Sequence, residues 1–518
     1  MPTRLIIIFL FLMGFNFTFA QKCDFPHTFH AYHTKESMIQ NDIFTRENMQ
    51  HTVVSESGLF AVHYDLSGFN AVSTVDNNNN NIPDYVDSTL YYIDLAYSSE
   101  VEMLGFEFDE YDANAGGTEM YDIYIKELAN SPYYGGARPE GAVINPENEI
   151  VNTSFVVIDN DFSSEDNKYN TTGIDGLKIT LFHEFFHSIQ FQITRSDFRV
   201  MGEMTATFME YRFFPEIKDY IDWASEWFES PSTMSISNSI NPSDGYGMSV
   251  FFHYIYDTFG DGVVLDMWKG MGRNENDTES LDRALSARGK SLAESFCEFT
   301  EWMFRTGDNA VDGYGFRFAP DLPNLTLSNS IKYNGFEENI SEQLIPFTFS
   351  PNRVIKDKDN GNPDTLIAMI VNTDYDNAIR NRTVLANGEL SVANKDVLSN
   401  NFNEIDLSYR ASADPLFCYN FVELVGKEFV EAFPNPFRKN SDSEMYLPVP
   451  EGAEDIINFD IYTVDMKLVS SGSNSVIDFE NKNVIRVDDI DMNLLSAGVY
   501  IYKTESDGNV KLGKFVVQ

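Results

Sequence analysis

Apolar and polar positions alternate along three short runs in the first third of the chain: Phe60, Val62 and Tyr64; Met120 to Ile125; and Phe155 to Ile158. A period of two puts successive side chains on opposite faces, so each run predicts a β-strand. A helix is predicted from about Tyr85, and Tyr133-Tyr134-Gly135-Gly136 reads as a turn or exposed loop. From Gly176 to Arg305 apolar residues recur at helical spacing, with breaks near Arg195, Pro215, Pro242 and Gly260. Strands followed by helices predict an α+β unit. Beyond Gly313, short β-type runs such as Leu366 to Val371 are bounded by Asn, Asp and Gly, and predict a β-sandwich of roughly a hundred residues. After Val430, alternation at Ile457, Phe459 and Ile461, and again at Val499 and Ile501, predicts a further set of strands.

These patterns divide the chain into a leader over residues 1–20, a polar N-terminal arm over 21–56, an α+β domain over 57–312, a β-sandwich over 313–428 and a C-terminal immunoglobulin-like β-sandwich over 429–518. The leader has the parts of a secretory signal: Arg4, the apolar run Leu5 to Phe15 and the small-residue end Thr18-Phe19-Ala20. No later stretch is apolar for the roughly 20 residues a bilayer span needs, so a secreted or surface-attached protein without a transmembrane span is expected. The formal net charge of -44 repels nucleic acid and attracts cations. Of the three cysteines, Cys23, Cys297 and Cys418, export allows one disulfide and leaves one odd thiol, with the pairing open. No C-x-x-C pair is present, so cysteine-ligated zinc is not expected.

The candidate chemistry centres on His183-Glu184-Phe185-Phe186-His187. On a helix, His183 and His187 face the same way and can bind one metal, and Glu184 stands beside them where it can polarise a water on that metal. Zn2+ suits two imidazoles and a carboxylate, with its fourth position left to solvent. The competing reading, a chance string in an apolar helix, has to bury two histidines without ligation at a polar cost. Upstream, Asp76, Asn78, Asn80, the Ile82 carbonyl, Asp84 and Asp87 fall at positions 1, 3, 5, 7, 9 and 12 of a Ca2+ loop. Asn81 stands where such loops want Gly, and tolerates the left-handed conformation. The alternative is an Asn-rich surface turn.

Gly202-Glu203-Met204-Thr205-Ala206-Thr207-Phe208-Met209-Glu210 is similar to the N-E-G-x-A-x-x-x-E segment of the gluzincins, the zinc peptidase superfamily of thermolysin and the zinc aminopeptidases. The resemblance covers about Phe155 to Gly260. It implies a zincin-like fold, His183, His187 and Glu203 as zinc ligands, Glu184 as general base, and Glu210 as the next choice of ligand. It departs from the family in a shorter interval between His187 and Glu203 and in Gly202 for the usual Asn. The metzincin pattern is excluded, because Gln190 and Ile193 stand where it needs Gly and His. Asp244 to Tyr254 looks like the Y-x-x-G helix start of zinc aminopeptidases, which implies Tyr246 as the oxyanion donor. A G-x-M-E-N string for gripping a substrate amine is missing before His183, which favours an endopeptidase acting on proteins or peptides. The rival is a non-catalytic surface or adhesion protein that keeps the fold. Finally, Phe433-Pro434-Asn435-Pro436-Phe437 and Gly498-Val499-Tyr500-Ile501-Tyr502-Lys503 resemble the opening and closing motifs of the C-terminal sorting domain of the bacterial type IX secretion system. That resemblance implies the secretion machinery as a partner, and an address rather than an activity.

Overall fold

The computed structural model describes residues 21–23, 45–109, 111–131, 133–144, 150–166, 168–194, 199–237, 243–311, 313–333, 338–356, 364–394, 407–411, 416–424, 432, 437, 444–450, 453, 456–463, 467–479, 482–488, 495–496, 498–506 and 509–517. They form a mixed α+β protein with several sheets, divided into two units. The first comprises Met1–Ala310, Phe318–Asp357 and Leu366–Glu423, and the second Val311–Arg317, Lys358–Thr365 and Leu424–Gln518. The leader lies outside the described residues. No described helix is long and apolar enough to cross a membrane.

The first unit is built on a six-stranded sheet of β1 (Gln21–Cys23), β2 (His51–Val54), β3 (Phe60–Tyr64), β4 (Tyr121–Lys126), β5 (Tyr133–Ile144) and β6 (Ile150–Asp159), in the order β1-β5-β6-β4-β3-β2. Strands β3, β4 and β6 run parallel, β5 is antiparallel to β6, and β2 is antiparallel to β3. Every residue of β3 and β4 is buried, as expected of parallel strands covered on both faces. Helices α1 (Asp84–Tyr97) and α2 (Gly173–Ile193) follow β3 and β6, and α2 packs on β5 and β6. Helix α2 is apolar nearly all round, and every residue from Ile179 to Phe191 is buried, which makes it the core of the unit rather than a surface helix. Phe185 stands edge-on to Phe60 and Phe108 at 5.6 and 4.9 Å, which pins the helix to the sheet.

Two expectations are corrected here. Tyr133-Tyr134-Gly135-Gly136 is no turn but the start of β5. Gly135 is required by close approach: a Cβ there would sit 2.7 Å from Thr180 Cγ2 and 2.8 Å from the Val157 carbonyl. The arm over 21–56 contributes β1 and β2 to the sheet, and its Arg46 is bound by Asp112 at 3.0 Å, by Glu140 at 2.8 Å and by Asp122. Among its described residues, the charge of Arg46 is thus paired inside the fold.

Helices α3 (Arg199–Phe213), α4 (Asp219–Glu229), α5 (Asp244–Met248), α6 (Val250–Phe259), α7 (Gly262–Met271), α8 (Asp277–Ser286) and α9 (Leu292–Phe304) complete the helical layer, with ends close to the predicted breaks. Next come β7 (Asn329–Tyr333), β8 (Glu338–Leu344), β9 (Thr348–Lys356), β10 (Asp364–Asn372), β11 (Ala386–Asn394), β12 (Leu407–Ala411) and β13 (Phe417–Leu424). They form the sheets β13-β10-β9-β7 and β12-β11-β8, which share a core of Ile340, Leu344, Val354, Ile370, Leu390 and Phe417. This pair of sheets is fastened to the helices. Phe296 of α9 packs edge-on against Phe347 at 5.4 Å, Ser235 Oγ donates to the Pro346 carbonyl, and Cys297 is disulfide-bonded to Cys418. Cys23 is thereby the odd cysteine.

The second unit holds β14 (Glu444–Pro448), β15 (Ile456–Thr463), β16 (Leu468–Phe479), β17 (Lys482–Asp488), β18 (Gly498–Ser506) and β19 (Asn509–Val517), in one curled antiparallel sheet of order β14-β17-β16-β15-β18-β19. The long β16 pairs with β15 over Leu468 to Ser475 and with β17 from Val476 onward, so a single strand turns the corner. Tyr500 and Tyr502 face the core with Phe459, Phe515 and Val517, while Val499 is exposed.

Candidate metal centre

Helix α2 sets His183 and His187 one turn apart on one face, and their Nε2 atoms approach to 3.0 Å. Helix α3 brings Glu203 Oε2 to 3.1 Å from the first nitrogen and 3.3 Å from the second. These three atoms form a near-equilateral triangle. Ligand atoms 2.0 to 2.1 Å from a tetrahedral zinc stand about 3.3 Å from one another, so the donor set fits that ion. All three residues are at least 99% buried.

The outer ring nitrogens are held too. His183 Nδ1 lies 2.8 Å from Glu210 Oε1 and His187 Nδ1 lies 2.7 Å from Gln190 Oε1. Both partners are acceptors, so with a metal bound each Nδ1 would keep its proton and each Nε2 would offer its lone pair. Gln190 is oriented in turn by donating through Nε2 to the Gly202 carbonyl and Thr205 Oγ1, both at 3.1 Å. Burial raises the Glu203 carboxyl, but the two imidazoles outweigh it and hold the group at about 2. Burial lowers His183, yet Glu203 and Glu210 outweigh it and hold it well above its ordinary value. Two buried carboxylates around two imidazoles favour positive charge in their midst.

Glu184 Oε2 accepts the Ala137 N–H of β5 at 2.7 Å, and Oε1 has no hydrogen bond among the described residues. Burial pushes this carboxyl up to about 8, against the opposing pull of His183. A void lined by Tyr134, Ile179, Thr180, His183, Glu184 and Glu210 adjoins it and has no room for a water molecule. Tyr246 is fully buried, with its ring 5.9 Å from that of His183. Its two glycine neighbours bring it there. A Cβ at Gly245 would lie 2.6 Å from Glu203 Cβ, and one at Gly247 would lie 2.4 Å from the Trp223 carbonyl, so α5 is pressed onto α3 and α4.

In the loop before α1, Asp76, Asn78, Asn80 and Asp87 converge. Asn78 Nδ2 and Asn80 Nδ2 both donate to Asp87, at 2.8 and 3.0 Å, and Asp76 accepts the amides of Asn80 and Asn81. Asn81 has the expected left-handed backbone, φ 69°, and the Ile82 amide bonds Asn80 Oδ1. Asp84 stands apart, accepting the Asn77 amide.

All three expected zinc ligands, the expected base and Tyr246 are thus assembled. Glu210, the reserve ligand, holds His183 from behind instead. Two contributors escaped sequence reading: Gln190, whose signal is a Gln three residues after the second histidine on one helix, and the Ala137 amide, which has no side-chain signature. A second acidic group, Asp159, Asp161 and Asp166, was also missed. Asp159 is engaged by the amides of Leu128, Asp161 and Phe162, so it braces its own loop. No protein-family model matches the chain, and no curated protein matches its sequence.

Proposed function

We propose that the chain is an exported zinc-dependent peptidase with a zincin-like domain, in which His183, His187 and Glu203 hold the ion. The observation that carries this reading is the triangle of Nε2, Nε2 and Oε2 atoms, each imidazole backed by an acceptor on its far nitrogen. When bound, zinc supplies Lewis acidity at the scissile carbonyl and at water. The chain's own groups supply the proton traffic. Ala137 fixes one oxygen of Glu184, so the other is left to take a proton from the attacking water and return it to the leaving amine. Tyr246, beside His183, stands as the donor to the charge that develops on the carbonyl oxygen. The gluzincin-like segment around Glu203 supports a peptidase, and the lack of an amine-gripping string before His183 supports an endopeptidase. Ca2+ bound by the Asp76–Asp87 loop would stiffen the start of α1. The curled C-terminal unit is proposed as the type IX sorting address.

The near-complete burial of the ligand set favours a second reading, in which the metal is structural and the protein is a non-catalytic surface protein. Metal analysis with a peptide-library assay separates them. One zinc per chain, lost in Glu203→Gln and accompanied by hydrolysis, supports the peptidase. One zinc with no hydrolysis of any library member supports the structural role.

A further inference from the structure

We propose that residues Gln21–Cys23 keep the site latent by occupying the edge of β5 that an extended substrate would need; this rests on the peptidase reading above. Strand β5 has β6 on one side, and on the other it pairs in parallel with β1, Gln21 opposite Tyr133 and Cys23 opposite Gly135. This is the stretch of β5 that meets the site. A Cβ on Gly135 would lie 3.4 Å from Glu184 Cγ, and Ala137, two residues on, donates its N–H to Glu184. A strand edge pairs with one main chain at a time, so β1 and an incoming peptide compete for it. A second observation agrees. The ligand set is at least 99% buried, and the void beside Glu184 has no room for water, so the state with β1 in place is closed. The seat is short and parallel, the weaker of the two pairings, which suits a contact made to be released. Arg46 anchors the chain independently of β1, so release of β1 leaves the sheet's other edge and its ion pairs in place.

The test compares the zinc-loaded chain with Lys22→Pro, Cys23→Pro and Cys23→Ser. In a parallel ladder only one of two adjacent residues donates to a given neighbour, so one proline removes a β1–β5 hydrogen bond and the other controls for stiffness. Three readouts are taken: hydrogen exchange of the Tyr134 to Gly136 amides, binding of a fluorescent casein-derived peptide by anisotropy, and hydrolysis of that peptide. The proposal expects faster exchange, together with peptide binding and hydrolysis raised about three- to tenfold, in one proline variant only, the change in population for one lost backbone hydrogen bond. Cys23→Ser stays as latent as the parent. Faster exchange with unchanged binding overturns the proposal, as does full activation by Cys23→Ser, which would assign latency to the thiol. Tighter binding without hydrolysis in any variant upholds occlusion and sinks the peptidase reading instead.

Discussion

Glu210 Oε1 lies 2.8 Å from Nδ1 of His183, on the side of the ring facing away from Glu203. A carboxylate there makes the imidazole a better donor and fixes its orientation without touching the metal. Glu210→Gln is therefore expected to keep one zinc per chain but to bind it about 10- to 100-fold more weakly, as loss of an outer-shell partner does. Glu203→Gln is expected to lose zinc at the same chelator concentration. Competition with a chromophoric chelator measures both, and complete loss in Glu210→Gln would make it a ligand.

The contact between Gly245 and Glu203 gives a second expectation. With 2.6 Å available to a Cβ, and the Val200 carbonyl at 2.7 Å, Gly245→Ala must push α5 away from α3. Overpacking of this kind costs about 1–3 kcal/mol. Urea denaturation should show that loss, and zinc affinity should fall with it because Glu203 is the atom group displaced.

Glu100, in the π-helical turn Ser98–Met103, is fully buried, and neither carboxyl oxygen has a hydrogen bond among the described residues. Burial pushes its pKa well above the usual carboxylate value. The folded state therefore holds the proton more tightly than the unfolded chain. Its contribution to stability is complete below the unfolded value of about 4.3 and falls as pH rises toward the folded value, by at most about 1.4 kcal/mol per unit. Glu100→Gln mimics the protonated form. It should match the parent near pH 4 and be the more stable at about pH 8, as followed by urea midpoints at both.

Asp87 receives both Asn78 and Asn80, which makes it the closing ligand of the proposed Ca2+ loop. A ligand at a hundred times its Kd stabilises the state it binds by about 2.7 kcal/mol. Calcium should raise the melting temperature of the parent and not that of Asp87→Ala. Equal responses would reduce the loop to a surface turn.

The reach of the sequence differed between elements for physical reasons. The strand at Phe60 to Tyr64 and the helix carrying His183 and His187 were legible, because a period of two and an i, i+4 face are properties of one element alone. Strand β5 was not: its paired glycines are the mark of a turn, and the closeness of Thr180 and Val157 explains the first of them, Gly135. The partners of Arg46 could not be read from the sequence, because the acids that bind it, Asp112, Asp122 and Glu140, lie 66 to 94 residues away. The same holds for the Ala137 amide on Glu184. The cysteine pairing stayed open until β13 was seen against α9.

The carboxyl of Glu184 decides whether the proposed hydrolysis can occur. Zinc content and hydrolysis of an extended peptide should be measured on one preparation each of the parent and Glu184→Gln. One zinc per chain in both, with hydrolysis lower by about 10²–10⁴-fold in the variant, is the expected result, the usual share of a general base. Zinc absent from the parent, or hydrolysis undiminished in the variant, would contradict it.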